Sequence, residues 1–401
     1  MGLNFPIYLD HHATTPTDPR VLDAMRPYFT ERFGNAASAS HVFGWRAEAA
    51  VEQARERLAA AIGAHEPREI VFTSGTTESD NLALKGVARA YRTRRDHLIT
   101  VATEHSAVLE SCGALEREGF RVTVLPVGRS GLVDPDDVRR AIGDRTLLVS
   151  VMAANSEIGV LQPLAAIGGI CRERDVLFHT DAAQAVGKVP VDVEASGVDL
   201  LSMCAHKLYG PPGVGALYIR RRRPRIRLEP LFHGGGHEWG HRSGTLPLAL
   251  IVGFAEAVDL CLHDLEAEAA RLRALRDELW TRLQAGLDEL RLNGDPEQRL
   301  PGNLNVAFPG AEADAVIASL RDVALSSGSA CSSARPEPSH VLRAIGLSEA
   351  LARASLRFGL GRGNTREEIE WVADQVIAQV REQREKRAGG RPGGGRRRSD
   401  G

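Results

Sequence analysis

Two segments of this 401-residue chain place reactive side chains at the ends of apolar runs. In DLLSMCAHKLYGPPGVGALYI (199–219) such a run leads into Ala-His-Lys, so Lys207 stands at the end of a buried strand. Burial disfavours an ammonium and leaves a nucleophilic amine, which is what a Schiff-base lysine requires. The plainer reading is a surface lysine in a loop. Upstream, DVLFHTDAAQAVG sets Asp181 directly after another apolar run. Open α/β sheets bind ligands at that edge. A carboxylate there can pair with a protonated pyridine nitrogen and keep the ring electron-poor. Taken alone, Asp181 reads equally well as a helix N-cap.

A third segment, FTSGTTESDN (72–81), is a strand, a small-residue turn and a helix start. Gly75, Thr76 and Thr77 would offer backbone N–H groups and hydroxyls to a phosphate. The GxxxxGK[ST] nucleotide loop is missing from it, and a capping turn that binds nothing is the commoner form of such a segment. The fourth is VALSSGSACSSARPEPSHVL (323–342), where Cys331 has few apolar neighbours, unlike Cys171 and Cys261. An exposed thiol becomes a nucleophile where its surroundings lower its pKa; otherwise it is a bystander. Cradle, acid and lysine in this order suggest pyridoxal phosphate.

The elements that must position these residues are also legible. HLITVAT, RVTVLPV, TLLVSVM, DVLFHTD, DLLSMCA and GALYIRR read as buried strands alternating with helical segments, which implies an α/β domain with a mostly parallel sheet. From about residue 260 the pattern shifts to a long charged helix (264–288), a strand-like LNVAF, the Cys331 loop, a strand-like ASLRFGL and a final helix from Thr365. The expected division is an N-terminal segment (1–15) packing with the small domain, a large cofactor-binding domain (16–260), a smaller α+β domain (261–385) and a disordered basic tail (386–401). Lys and Arg number 50 and Asp and Glu 52, and the basic tail leaves an acidic body, unlike a dedicated nucleic-acid binder. Five scattered cysteines without a CxxC pair point to a reducing compartment. With no leader-like start and no membrane-length apolar run, the expectation is a cytoplasmic protein.

The four segments, in this order, resemble cysteine desulfurases of the NifS/IscS type, in the class-V aminotransferase family. The likeness runs from IYLDHHATTP (7–16) through FGNAASASH (33–41), TEHSAVL (103–109), NSEIGVLQP (155–163) and GGGHEWGHRSGT (234–245) to SLRFGLGR (355–362). The short cysteine loop is similar to that of the IscS-like branch. The resemblance implies fold type I of the pyridoxal-phosphate transferases and conversion of L-cysteine to L-alanine. Lys207 would carry the cofactor and act as base, Asp181 would pair with the pyridine nitrogen, and His105 would stack on the ring and assist proton transfer. Gln184 would bond the ring hydroxyl, and Gly75, Thr77 and His206 would hold the phosphate. Asn35, Asn155 and Arg357 would engage the substrate carboxylate, Asn155 also facing the cofactor, and Thr245 would reach the phosphate of a neighbouring subunit in a homodimer. Cys331 would receive the sulfur as a persulfide for an iron–sulfur scaffold or for tRNA thiolation. No resident metal is implied; Cys331 would at most ligate a transient iron–sulfur cluster on a partner.

Two departures stand out: Cys204 replaces a serine that commonly donates to the phosphate, and Ala36 replaces a proline. HEWGH (237–241) matches the H-E-x-x-H zinc signature, but its glycines make a poor helix and no third ligand is evident. RRRRPRIR (220–227) and the tail could make a weak RNA contact, against the plainer reading of solvated charge. The rival functions are another pyridoxal-phosphate enzyme, such as an aminotransferase or selenocysteine lyase, and a non-catalytic partner that keeps the fold.

Overall fold

Apolar runs flanked by helices form the central sheet of the protein, seen in a computed structural model that describes residues 3–222, 224–327 and 338–389. The strands are β1 (Ile7–Tyr8), β2 (Ile70–Thr73), β3 (His97–Val101), β4 (Arg121–Leu125), β5 (Thr146–Ser150) and β6 (Leu177–Asp181). They continue as β7 (Leu200–Cys204), β8 (Gly215–Ile219), β9 (Arg291–Leu292), β10 (Asn303–Ala307), β11 (Val323–Ala324) and β12 (Ser355–Gly359). Seven of them make one sheet in the order β2-β8-β7-β6-β5-β3-β4, parallel except for β8. Strands β2, β3, β5, β7 and β8 are buried along their whole length, because helices cover both faces. That is why they read as continuous apolar runs rather than alternating ones.

Beyond the sheet, β12-β10-β9 form an antiparallel sheet whose apolar face packs with the helices Leu265–Gly286 and Arg366–Gly389. The start of the chain joins this second core. β1 pairs parallel with β11, Ile7 and Leu9 are buried there, and Asp10 bridges to Gly359. The N-terminal segment therefore lies between the two cores.

The H-E-x-x-H segment is held by an ion pair. Glu238 and Trp239 sit at φ 50° and 53°, so no regular helix aligns His237 with His241. Glu238 instead forks onto Arg55, with both N–O distances 2.8 Å, and accepts the Phe72 N–H at 2.7 Å. The Arg55 guanidinium lies over the Phe72 and Trp239 rings, 4.7 and 4.6 Å from their centroids. Among the described residues, no group of three His, Cys, Asp or Glu is placed to hold a metal ion. Removing one member of a buried ion pair strands the other charge. Arg55→Ala is therefore expected to destabilise the fold by about 3–5 kcal/mol, measured by urea unfolding; a loss under about 1 kcal/mol would mean that the pair behaves as a surface one.

Candidate active site

Parallel strands end on a common side, so the residues just after them meet. The helix after β2 begins at Thr76, which places Thr76 and Thr77 in its first turn. First-turn N–H groups have no intrahelical acceptor and face outward as anion donors. Gly75 turns the chain at φ +153°, and a Cβ there would meet nothing within 4 Å, so the space above the turn is open. A Cβ on Gly215 of β8 would instead come within 2.6 Å of Gly75 Cα, so the turn rests on the sheet only because Gly215 has no side chain.

Gly75, Thr77, His105, Asp181, Gln184, His206, Lys207 and Arg357 line one cleft. His105 caps the helix Ser106–Arg117; its Nδ1 accepts the Ala107 N–H at 3.1 Å, which leaves the ring proton on Nε2. Asp181, at the end of β6, is raised by burial, while its neighbour His105, the Ala183 N–H and the charge of Lys207 pull it back down. Asp80 and Glu104, buried in the same region, are both raised well above the carboxylate range, chiefly by burial and further by the charge on Asp181. Like charges so close do not ionise together, so the carboxylate is held at Asp181, which faces the cleft and its cations.

Lys207 Nζ donates to the carbonyls of His12 and Ala13, both at 2.6 Å. Gln184 Nε2 donates to the same His12 carbonyl at 2.9 Å. His206 meets Thr14 Oγ1 through Nδ1 at 3.1 Å, and burial lowers its pKa to about 4, so it enters the cleft as a neutral ring. Arg357 is 1% exposed; Asp10 binds its Nη2 at 2.6 Å and the Ser156 carbonyl its Nη1 at 3.1 Å.

Three expected residues lie elsewhere. Asn155 is buried outside the cleft lining, with its amide engaged: Oδ1 accepts from Glu157 and Ile158 at 2.8 and 2.9 Å, and Nδ2 donates to Thr103 O at 2.9 Å. It shapes the turn after β5. Asn35 and Thr245 are not buried and do not line the cleft of their own chain. Cys331 lies outside the described residues. The segments flanking it reach the cleft's surroundings: Arg357 N–H donates to Ser326 O at 2.7 Å, and His340 Nε2 lies 2.9 Å from Glu104 O. Sequence reasoning missed Asp10 and His12, although both stand in IYLDHHATTP; adjacent acid and imidazoles at a strand end were the available signal.

These residues fit pyridoxal phosphate. Open space over Gly75 and the first-turn donors suit the phosphate. Thr76 Oγ1, buried in the cleft wall, has no hydrogen-bond partner, although the Cys204 thiol lies beside it. Burial raises the Cys204 pKa, so it remains a neutral thiol and a weak donor. Cys204→Ser is expected to slow cofactor dissociation about tenfold, the worth of one hydrogen bond to a charged group; equal dissociation rates would show that the thiol is not a phosphate contact.

The chain matches the Aminotransferase class-V family over residues 7–372. It is 55% identical, over 385 residues, to a protein of Neisseria meningitidis named "Cysteine desulfurase IscS", covering 96% of this chain and 95% of that one. Among solved structures, a "NIFS-LIKE PROTEIN" superposes with TM-score 0.86 at 35% identity, over 94% of this chain and 99% of that one. Another, "SspA in complex with cysteine", gives TM-score 0.78 at 41% identity, over 88% and 98%. With the cofactor cleft at the strand ends and likeness across nearly its whole length, the chain belongs to the class-V aminotransferase family, among its cysteine desulfurases of the NifS/IscS type.

Proposed function

We propose that the protein converts L-cysteine to L-alanine and holds the released sulfur as a persulfide on Cys331. The observation that carries this reading is the state of the other thiols. Cys112, Cys171, Cys204 and Cys261 are all buried and unpaired, and burial raises the pKa of each, to about 12 for Cys112 and Cys171. None of the four supplies a thiolate at neutral pH, which leaves Cys331 as the acceptor.

Bound pyridoxal phosphate supplies an electron sink for the substrate's α-carbon. The chain's own residues do the rest. Lys207 would carry the cofactor and is the amine placed to take the substrate's α-proton. Asp181 would pair with the pyridine nitrogen of the bound group, and His105, which lines the same cleft, would offer its Nε2 proton. Arg357, preset by Asp10, receives the substrate carboxylate as a planar fork. The Cys331 thiolate attacks the substrate sulfur; the S–S bond forms as the Cβ–S bond breaks, and the three-carbon fragment takes up protons and leaves as alanine. The persulfide then passes to an acceptor, either an iron–sulfur scaffold or a tRNA-thiolating protein. Incubation with L-cysteine and a thiol reductant should give sulfide and alanine in equal amounts; pyruvate or an amino-group transfer product in place of alanine would overturn the reading.

A homodimer accounts for the two outlying residues. Phe29, Phe33, Phe43 and Trp45 expose about half of their surface, with Phe33 stacked on Phe43 at 5.3 Å, and Asn35 stands between them in the chain. A cluster of exposed aromatics of this kind marks an interface, and a second copy would bring Asn35 or Thr245 toward a cleft. The reduced cysteines favour a cytoplasmic setting, and no described helix is long and apolar enough to cross a membrane. Within the arginine run, Arg220, Arg221 and Arg222 pair with Asp199, Glu66 and Glu194, so any weak RNA contact would fall to the arginines after them.

A further inference from the structure

A second cavity shares His12 and Lys207 with the cleft, and Lys188 lines it. The desulfurase reaction gives this lysine no task. Its Nζ donates to Gln184 Oε1 at 2.7 Å. The other end of that amide, Nε2, donates to the His12 carbonyl at 2.9 Å, and the same carbonyl accepts from Lys207 Nζ at 2.6 Å. Two amines thus hang on one short hydrogen-bonded unit.

We propose that Lys188 is a positioning residue for Lys207: it holds the Gln184 amide that shares the His12 carbonyl with Lys207, and in its charged form it disfavours a proton on the Lys207 nitrogen. The inference rests on Lys207 being the cofactor-bearing amine.

Both halves rest on donor chemistry and charge. Gln184 Oε1 accepts from Lys188 Nζ at 2.7 Å and lies 3.1 Å from His12 Nδ1, and with its accepting end held there, by the shorter bond to Lys188 above all, the amide turns Nε2 toward the His12 carbonyl. Gln184 then presents N–H to the cleft and is set to donate to the cofactor's ring oxygen. Two neighbouring ammonium groups also disfavour each other's proton. Lys188 itself is lowered to about 7, by burial first and by Lys207 next.

Asp181 opposes this field at Lys207 in every variant alike, and the other groups around Lys188 are neutral or paired. On the N-terminal segment, burial keeps His11 and His12 neutral, His11 at about 4. Cys204 on β7, Cys261 on the helix Leu248–His263 and Tyr209 after Lys207 are all raised by burial and are neutral as well. The charged groups are committed elsewhere: Arg357 to Asp10, Arg362 to Asp18, and Glu268 to Arg271. Asp264, at the start of the helix Leu265–Gly286, lies 3.9 Å from His263.

The test uses holoenzyme carrying Lys188→Met, close in length but uncharged, and Lys188→Arg, permanently charged. The visible band of the bound cofactor is titrated with pH in each, and kcat and KM for L-cysteine are measured. Losing the charge should raise the midpoint by about one pH unit, a tenfold gain in proton affinity at Lys207. It should lower kcat more than it changes KM. Lys188→Arg should keep the midpoint at or below that of the parent. Lys188→Gln carries the same expectation as the methionine variant and replaces it if that variant folds poorly. Borohydride reduction and mass spectrometry then identify the cofactor-bearing residue in the parent. Labelling at Lys207 with coincident titrations overturns the inference alone. Labelling at any other residue overturns the underlying reading, and the inference with it.

Discussion

Lys207→Ala is expected to lower alanine formation from L-cysteine by about a thousandfold or more. The change removes a covalent anchor and a proton acceptor together, and the acid–base part alone is worth roughly 10²–10⁴. The cleft should survive the change. Lys207 donates to two backbone carbonyls, and the His12 carbonyl keeps its bond to Gln184 without it. The variant should therefore still bind pyridoxal phosphate through the Gly75–Thr77 turn, but borohydride should no longer fix the cofactor to the chain. Near-parental turnover would mean that Lys188, the other amine beside the cleft, or some other group carries the chemistry.

Cys331→Ala should have an effect of similar size by a different route. The cofactor should load normally and accept L-cysteine, but the Cβ–S bond should not break, because the remaining thiols are buried and protonated. Alanine release is expected to fall at least about a hundredfold, as for loss of an essential nucleophile. The measurement is alanine formed in a single turnover, with the persulfide tracked by alkylation and mass spectrometry. Alanine at the parental rate would show that sulfur leaves without Cys331. Together the two variants separate anchoring from sulfur acceptance: Lys207→Ala loses the covalent cofactor, and Cys331→Ala keeps it.

Features differ in legibility according to how local they are. The sheet can be read because apolar runs buried on both faces leave a continuous signature, and the residues just after β2, β3, β6 and β7 are visible at the end of each run. Side-chain commitments are not. The resemblance assigns Asn155 to the substrate carboxylate and the cofactor, yet its amide is engaged by its own turn and by Thr103. Glu238 sits inside a metal-like motif, and only the fold brings Arg55 to it from 183 positions away. Lys188 looks like an ordinary surface lysine after a glycine; the cavity around it is made by segments distant in the chain. Asn35 and Thr245 become no clearer in a single chain, as expected if a second copy completes their surroundings.

The threading of the N-terminal segment between the two cores also bears on synthesis of the protein. Asp10 orients Arg357 across 347 positions, and His12 meets Lys207 across 195. A ribosome adding about 5–20 residues per second would emit Asp10 on the order of tens of seconds before its arginine. During that interval β1 lacks β11, and Ile7 and Leu9 lack the core that buries them. The nascent chain can build the central sheet and the phosphate turn early, but it cannot present a substrate-ready guanidinium until translation is nearly complete. Loading of the cofactor and competence toward L-cysteine would then be separate events in the life of each molecule, the first available to a partly made chain and the second only to a finished one.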